Sequence, residues 1–212
     1  MEAVENIQKH LDSALLEYSK EENLESLLEA KKIYFDATGI ANEDDDDFES
    51  RMSIFNDWYL LQFQSSKLTR TIINDYFSKR EEEQRIQKAL SEVNYSIFEY
   101  TGKSFKKQIV LKDILHKDKI TLMKDHSELA LLKGEYFVGR VLSYEESSFL
   151  LSGVCVVPKE VIGIIKKEAK KVRKLEDTQE EHDFLLQIEY FTNKWKRYNH
   201  IAPERIFEFE IA

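Results

Sequence analysis

The fold of this chain is decided by residues 135–157, which read EYFVGRVLSYEESSFLLSGVCVV. Residues 135–144 and 148–157 are rich in β-branched and aromatic side chains, and the polar Glu-Glu-Ser between them suits a turn. Such side chains fit a pleated, half-buried surface, so the stretch predicts two antiparallel strands. Gly139 and Gly153 lie inside these predicted strands, where glycine usually marks a bulge or a sharp bend.

Three stretches before this pair have the same composition, namely residues 95–100, 104–111 and 119–123. Turn-forming residues separate them at 101–103, which read Thr-Gly-Lys, and at 116–118. The five short strands together predict a small antiparallel barrel or curled sheet of the SH3 or OB type, because closure removes exposed strand edges.

The chain before residue 94 has the period of helices instead. Apolar residues recur every three or four positions, which is typical of a helix with one buried side. The predicted buried positions are Val4, Ile7, Leu11, Ala14, Leu15 and Tyr18 in a first helix, and Leu24, Leu27, Leu28 and Tyr34 in a second helix that ends at Gly39. A third helix carries Phe48, Met52, Phe55, Trp58, Tyr59 and Phe63 and should be central to the core; residues 68–77 and 86–93 predict a fourth and a fifth.

After the predicted sheet, the helical period returns. Pro158 suits the first position of a sixth helix, whose buried positions are Val161, Ile165, Ala169 and Val172. Thr178 and Glu181 form a capping-box pattern that opens a seventh helix, and residues 207–211 alternate as an edge strand does. We therefore predict an α+β fold: an N-terminal helical bundle over 1–93, the small sheet over 94–157, and C-terminal helices with an edge strand over 158–212.

The composition is typical of a folded protein without a membrane anchor. Of 212 residues, 42% are hydrophobic and 12% aromatic, which is enough for a buried core. Apolar runs such as 149–151 and 154–157 are far shorter than the roughly 20 residues that span a bilayer. The first ten residues lack the apolar segment of a signal peptide. We expect a cytoplasmic location, and we expect the single cysteine, Cys155, to be buried among valines and unreactive.

Charge is distributed unevenly along the chain, whose formal net charge is −9. Residues 1–50 carry fifteen acids against four bases, whereas residues 157–175 carry seven bases against two acids. Helical spacing divides the bases of the sixth helix into two adjacent sides, both turned away from its apolar positions. Lys166, Lys170 and Arg173 form one side, and Lys167, Lys171 and Lys174 form the other.

These six basic residues are the candidate binding surface, and three interpretations remain open. The surface contacts the phosphate backbone of a nucleic acid, or it pairs with an acidic surface, either the first fifty residues or a protein partner. The third interpretation is an ordinary solvated helix face.

The sequence offers no catalytic, metal-binding or cofactor motif. The acidic loop, residues 43–47, fails the pattern of a calcium-binding loop because Glu49 and Phe55 stand where glycine and glutamate are needed. A solvated loop whose Asp46 or Asp47 caps the next helix is the preferred interpretation. The five histidines are scattered without the spacing of zinc ligands, and no glycine-rich phosphate loop is present.

Several short stretches form a recognisable set. They are YFDATG at 34–39, DDFESRM at 46–52, FNDWYLL at 55–61, SIFE at 96–99, LKDIL at 111–115, KG at 133–134 with RVL at 140–142, WKRY at 195–198 and IFEF at 206–209. On these stretches the chain resembles an uncharacterised bacterial family of the deltaproteobacterial type. The resemblance spans most of the chain and implies a shared fold, but no activity, cofactor or partner. One departure is His116-Lys117-Asp118, where the family pattern has a turn such as Thr-Gly-Glu.

Without a catalytic motif, we expect neither enzyme activity nor a cofactor. The preferred prediction is a non-enzymatic interaction or regulatory protein that binds another protein, or associates with itself, through the helical scaffold and the small barrel. The alternative is a nucleic-acid-binding module that uses the barrel and the basic helix, residues 159–174. We do not expect a membrane as a partner.

Overall fold

The computed structural model describes residues 2–65, 67–80, 84–123 and 131–209. Within these ranges, five helices come first: α1 (Glu2–Tyr18), α2 (Leu24–Thr38), α3 (Phe48–Leu61), α4 (Ile72–Ser78) and α5 (Gln84–Ser91). Six strands follow: β1 (Asn94–Lys103), β2 (Ile109–Asp113), β3 (Lys119–Thr121), β4 (Tyr136–Tyr144), β5 (Ser147–Leu150) and β6 (Cys155–Val157). Helices α6 (Ile162–Val172) and α7 (Thr178–Arg197) come last, and short 3-10 turns lie at Glu21–Asn23, Lys159–Val161 and Pro203–Arg205. The predicted α+β class, with helices before and after the sheet, is confirmed.

The strands form one curled antiparallel sheet in the order β3-β2-β1-β4-β5, and β6 also pairs with β4. A bridge between Leu122 and Ser148 joins the two ends of this order, and the N–H of Met123 donates to the Ser148 carbonyl at 2.9 Å. Apolar side chains, among them Phe98 and Phe137, fill the inside of the curl. The predicted curled sheet is therefore confirmed, with a packed interior.

The last predicted strand, residues 148–157, is in fact two strands separated by extra residues. Val141 of β4 is paired with Leu150, and Val138 of β4 is paired with Cys155. These two pairs are three residues apart along β4 but five residues apart along the opposite strand. The partner strand therefore carries a two-residue bulge, which interrupts the pairing and gives six strands where the sequence predicted five.

Both glycines of the predicted hairpin lie at this bulge, as predicted. Gly139 lies in β4 opposite the interruption, where an added Cβ would meet the Val154 side chain at 3.3 Å. Gly153 lies in the bulge, and its N–H donates to the buried carboxylate of Asp57 in α3 at 3.0 Å. A Cβ at Gly153 would stand 2.9 Å from the Ile54 Cα atom. Only glycine allows the loop to approach α3 this closely.

The turn predicted at residues 101–103 is wrong, because these residues belong to β1. A bulge lies between Tyr100 and Gly102, and Gly102 has a φ of 122°, which glycine adopts without strain. The glycine therefore distorts the strand without reversing it. The chain reverses at 104–108 instead, where the Ser104 N–H donates to the Gln108 carbonyl at 2.8 Å.

The main apolar core lies between the helices and the outer face of the sheet, and it extends from Ile7 in α1 to Phe207. Trp58 of α3 is 6% exposed, and its ring centroid lies 5.2 Å from that of Tyr34 and 5.4 Å from that of Phe63. The prediction that α3 is central to the core is confirmed.

Helix α2 buries Tyr34 as predicted and packs Leu27 on the core, but the predicted burial of Leu24 and Leu28 is wrong. Its buried residues are Ala30, Tyr34 and Thr38, whereas Leu24 and Leu28 are 45% and 56% exposed. Helices α3 and α7 pack against the side that carries Tyr34 and Thr38, so most of the leucine side of α2 lies outside this packing. Periodicity identified the helix correctly but could not show which flank faces its neighbours.

Two predictions in the C-terminal part are also wrong. Asp177, not Thr178, caps α7, because its carboxylate accepts hydrogen bonds from two N–H groups of the first turn. Residues 207–209 form no strand, since two phenylalanines of this segment pack on Phe191 of α7 with ring centroids 5.4 and 5.1 Å away. The rest of the predicted edge strand, 210–211, lies outside the described residues.

Candidate interaction surface

Helix α6 lies on the outer face of the sheet with its apolar side inward. Val161, Ile165, Ala169 and Val172 are all buried, as predicted. Pro158 precedes the 3-10 turn that leads into α6 and is not the first helical residue, so that detail of the prediction is wrong. The inward side fixes the orientation of the helix, and the basic residues lie on its remaining sides.

Lys166 is held by contacts within the fold. Its Nζ atom donates to the Tyr136 hydroxyl at 3.1 Å, lies 4.8 Å from the centre of that ring and is 4.0 Å from the Glu99 carboxylate. The ammonium group of Lys166 thus contacts both an aromatic ring of β4 and a carboxylate of β1.

Arg173 and Lys171 also have partners. Nη1 of Arg173 donates to the Leu115 carbonyl, just after β2, at 2.6 Å. Nζ of Lys171 lies 2.8 Å from the carboxylate of Glu168, whose side chain is only 8% exposed. Glu168 is the only acid among these bases, and it is turned inward.

Lys167 and Lys170 of α6 and Lys174, in the turn just after it, are exposed and form one stripe, with spacings of three, four and seven residues. In the ranges that the structure describes, none of them lies within 4.0 Å of a carboxylate oxygen. The six predicted residues are therefore divided by their contacts rather than by the two helical sides: three have partners within the fold, and three have no carboxylate partner among the described residues.

A cross-strand row of the sheet lies beside this helix. Glu99 is paired with Tyr136 on one side and with Lys112 on the other, and Lys112 is paired with Lys119. Side chains at such paired positions share a face and have Cβ atoms about 4.5–5.5 Å apart. Because Lys166 contacts the first two residues of the row, the exposed Lys112 and Lys119 lie on the same side of the sheet as α6. We call Lys112, Lys119, Lys167, Lys170 and Lys174 the basic surface.

The turn between β1 and β2 carries a second group of exposed residues. Phe105 is fully exposed at its tip, and the Ser104 carbonyl accepts a hydrogen bond across the turn at 2.9 Å. The tip begins four residues along β1 from Glu99, which is about 13 Å. Sequence reasoning missed this feature because it assigned residues 104–111 to a strand. The exposed lysines around the ring are Lys103, Lys106 and Lys107.

Among the described residues, the ion pairs of the acidic loop are made with α7 and not with α6. Asp47 lies 3.0 Å from Nζ of Lys196, and Asp45 lies 3.6 Å from Nη2 of Arg197. Asp47 directly precedes α3, but its carboxylate makes no capping hydrogen bond, so the predicted side-chain cap is wrong. The lysine of α7 is its partner instead.

A cleft of about 280 Å³ lies between this loop and α7. The buried Arg51 donates to the Ile40 carbonyl at 2.8 Å and to that of Gly39, and Asn193 of α7 donates to the Thr38 carbonyl at 3.0 Å. The Thr38 carbonyl belongs to the last turn of α2 and the other two come just after it, where a helix leaves acceptors without internal partners. Arg51 and Asn193 therefore close the end of a helix.

Cys155 and His116 both have their reactive atoms engaged or buried within the fold. Cys155 is 2% exposed, and burial together with the negative charge of Glu189 raises its pKa to about 12, as expected for an unreactive thiol. His116 lies between two carboxylates, with Nδ1 3.0 Å from Asp113 and Nε2 3.2 Å from Glu181. The hydrogen bond to Asp113 is the main cause that raises the pKa of His116 to about 9. At neutral pH this side chain is a cation that ties the end of β2 to α7.

A buried polar cluster between α3, α7 and the sheet was missed by sequence reasoning. Arg140 of β4 is fully buried; its Nε atom donates to Gln62 at 2.6 Å, and its guanidinium lies 4.1 Å from the centre of the Tyr95 ring. Glu189 accepts from the Tyr34 hydroxyl at 2.6 Å and from the Tyr95 hydroxyl at 2.8 Å. Burial raises the pKa of Glu189, and the charge of Arg140 opposes this. An arginine inside an apolar strand was the available signal for this cluster.

Within the same described ranges, no group of three or more histidine, cysteine, aspartate or glutamate side chains is arranged to hold a metal ion. No helix there has both the length and the apolar character needed to cross a membrane.

A model for a protein family matches residues 2–197, nearly the whole chain, and its description is a family of unknown function, DUF7986. The chain belongs to this family. The match agrees with the resemblance to an uncharacterised family, and it covers the basic surface, the acidic loop and the buried polar cluster. No curated protein and no solved structure matches the chain.

The turn at which the chain departs from the family pattern has the backbone shape that glycine favours. Lys117, in this turn, has a φ of 70°.

Proposed function

We propose that the chain is a non-enzymatic interaction protein that binds an acidic partner protein through the basic surface. The observation that carries this proposal is the stripe of Lys167, Lys170 and Lys174, which is exposed and has no carboxylate partner among the described residues. The other three of the six predicted bases have partners within the chain.

The two lysines of the stripe that lie in α6, Lys167 and Lys170, repel each other. Like charges three or four residues apart on a helix destabilise it by about 0.2–0.5 kcal/mol per pair. Glu168 does not offset the outer lysines, because it is turned inward and paired with Lys171. An acidic partner would remove this repulsion, and complementary charge would also speed the encounter of the two proteins.

The sheet enlarges the surface beyond one helix. Lys112 and Lys119 lie on the same side as α6, so a partner could contact lysines from three elements at once. A protein–protein interface needs about 800 Å² on each side, which a helix and a neighbouring sheet edge can supply. A long nucleic acid would extend past this area onto the rest of this protein. Because the formal net charge of the whole chain is −9, those further contacts would be repulsive. This difference favours a protein as the partner.

A nucleic-acid-binding function is the second candidate, and the tip of the β1–β2 turn favours it. Phe105 is fully exposed there among three lysines. Bases stack on exposed aromatic rings with about 1–3 kcal/mol each, while neighbouring lysines contact phosphates.

The test is affinity capture from a lysate of the native cells, with and without nuclease treatment. The variant Lys167→Glu/Lys170→Glu/Lys174→Glu should lose the captured protein, whereas Lys9→Glu/Lys20→Glu/Lys88→Glu should retain it. The control makes the same change in net charge at exposed lysines of α1, its following turn and α5. Lys166 and Arg173 are left unchanged because their contacts belong to the fold.

The outcomes separate the two functions. Capture that survives nuclease and depends on the α6 lysines supports a protein partner. Capture that nuclease abolishes, with affinity for a single-stranded oligonucleotide that falls steeply with salt and with Phe105→Ala, supports the second candidate. If the α6 variant captures whatever the parent captures, the stripe is a solvated face and the proposal is wrong.

A further inference from the structure

Helix α2 presents an apolar face that the rest of the described chain leaves largely uncovered. Leu24 and Leu28 are 45% and 56% exposed, and they lie one turn apart on the same side of the helix. Leu27, beside them, is half-buried against the core. The buried side of α2, with Ala30 and Tyr34, points elsewhere. The exposed pair resembles the seam positions of a helix that packs against another helix.

The charges near the exposed leucines are acidic before them and, after the partly buried Glu29, basic in the middle of the helix, whose last turn carries no base. Glu25 follows Leu24 in the first turn, and Glu21 and Glu22 lie in the 3-10 turn just before it. Lys31 and Lys32 follow Leu28 within one turn. A helix with acids before its apolar pair and bases after it is complementary to itself in an antiparallel arrangement, which also aligns the opposite ends of the two helix dipoles.

We infer that α2 is the contact of a two-fold dimer, in which it packs antiparallel to α2 of a second copy of this chain. A two-fold axis that passes between residues 28 and 29 places Leu28 beside Leu28 of the second copy. The same axis places Glu25 opposite Lys32 of the second copy, because these residues are equally far from it. The interface is then self-complementary, as a two-fold contact must be.

The charge pattern selects a second copy over an unrelated helix as the occupant of this face. Any amphipathic helix could cover two leucines, but both ion-pair positions of α2 are satisfied when its partner has the same sequence in the opposite direction. The exposed apolar area is small, so the dimer is a weak one. This inference is independent of the basic surface, which is carried by α6 and the sheet.

The first test is sedimentation equilibrium of the full chain from about 5 to about 500 µM, the range in which weak dimers assemble. The parent should dimerise, and Leu28→Glu should raise the dissociation constant by roughly tenfold or more, since it places two like charges beside the axis. The matched control is Leu16→Glu, at an exposed leucine of α1 that is 71% exposed. This variant should dimerise as the parent does. Far-ultraviolet circular dichroism confirms that each variant is folded.

The second test uses charge exchange. Glu25→Lys and Lys32→Glu should each weaken the dimer, and the double variant should restore it, because both symmetry-related pairs are then re-formed with exchanged signs. Glu25 also pairs with Lys67, so a purely local effect would not be rescued by a change at residue 32. Leu28→Cys should form a disulfide-linked dimer under mild oxidation, whereas Leu16→Cys should not.

A parent that stays monomeric over the whole range overturns the inference. So does a dimer that Leu28→Glu leaves intact, or one that Leu16→Glu weakens equally. Failure of the double variant to restore the dimer rejects the antiparallel arrangement.

Discussion

Replacement of Gly153 by alanine should destabilise the protein strongly, although it adds only one methyl group. Gly153 lies in the bulge between β5 and β6, and its N–H donates to Asp57 of α3. An added Cβ would stand 2.5 Å from the Asp57 Oδ2 atom, 2.9 Å from the Ile54 Cα atom and 3.1 Å from the Ser53 carbonyl oxygen. Two of these atoms belong to the backbone of α3, so they cannot rotate away. The bulge or the helix must move.

The magnitude follows from two costs. Overpacking of a filled interior costs about 1–3 kcal/mol. Movement of the bulge also breaks a hydrogen bond to a buried carboxylate, and bonds to charged groups contribute about 1.5–3 kcal/mol. Burial raises the pKa of Asp57 to about 6, so at pH 7 most of this carboxylate is ionised and needs the donor. Together these costs give an expected loss of about 3–5 kcal/mol in the free energy of unfolding.

The assay is urea unfolding at pH 7 followed by circular dichroism, with Gly163→Ala as the matched control. Gly163 lies in α6, and an added Cβ there meets no atom within 4 Å. Alanine should therefore stabilise that helix by about 0.5–1 kcal/mol. If Gly153→Ala lowers stability by less than about 1 kcal/mol, the ordinary effect of a point mutation, the close contact between the bulge and α3 is refuted.

Lys117→Gly should raise the free energy of unfolding by roughly 1 kcal/mol, because Lys117 has a φ of 70° and a left-handed conformation strains residues other than glycine; thermal unfolding would show it. The contacts of His116 raise its pKa from 6.5 in the unfolded chain to about 9 in the folded protein. Their contribution to stability is complete below pH 6.5 and is lost as the pH rises through about 9, so His116→Gln should flatten the decline of stability between these two pH values. Trp58→Ala should cost about 3–5 kcal/mol in urea unfolding, and an unchanged midpoint would contradict its place in the core. Cys155 should react with a thiol reagent only after denaturation, and rapid labelling of the native protein would contradict its burial.

The sequence of this chain was sufficient for the elements with long, regular patterns. The period of the apolar residues located all seven α-helices of the described chain, because a buried stripe must repeat with the helical turn. Gly39 ends α2 with a φ of 88°, and a bulge lies at Gly139 and Gly153, because glycine meets backbone demands that other residues cannot. Such local requirements are written in the residues themselves.

Predictions about which side of an element faces its neighbours were less successful. Leu24 and Leu28 looked like buried residues of α2, but α3 and α7 pack against another flank. The glycine of the 101–103 segment suited a turn, but the pairing of β1 with β2 continues through it. Asp47 suited a helix cap, but Lys196 of α7 takes its carboxylate. Each of these outcomes depends on a partner that is distant in sequence.

The candidate surface, too, was predictable where it depends on spacing along a helix and unpredictable where it depends on contacts between distant segments. By itself the sequence determined that α6 has one apolar side and a run of bases, since spacing along a helix fixes which residues share a face. Only the tertiary structure decided that Lys166 and Arg173 are held while Lys170 is exposed, because the partners of the first two, Tyr136 and the Leu115 carbonyl, come from the sheet region. It also placed the buried Arg140 beside Tyr95. Side-chain contacts of this kind arise when separate segments pack together, and no local pattern in the chain records them.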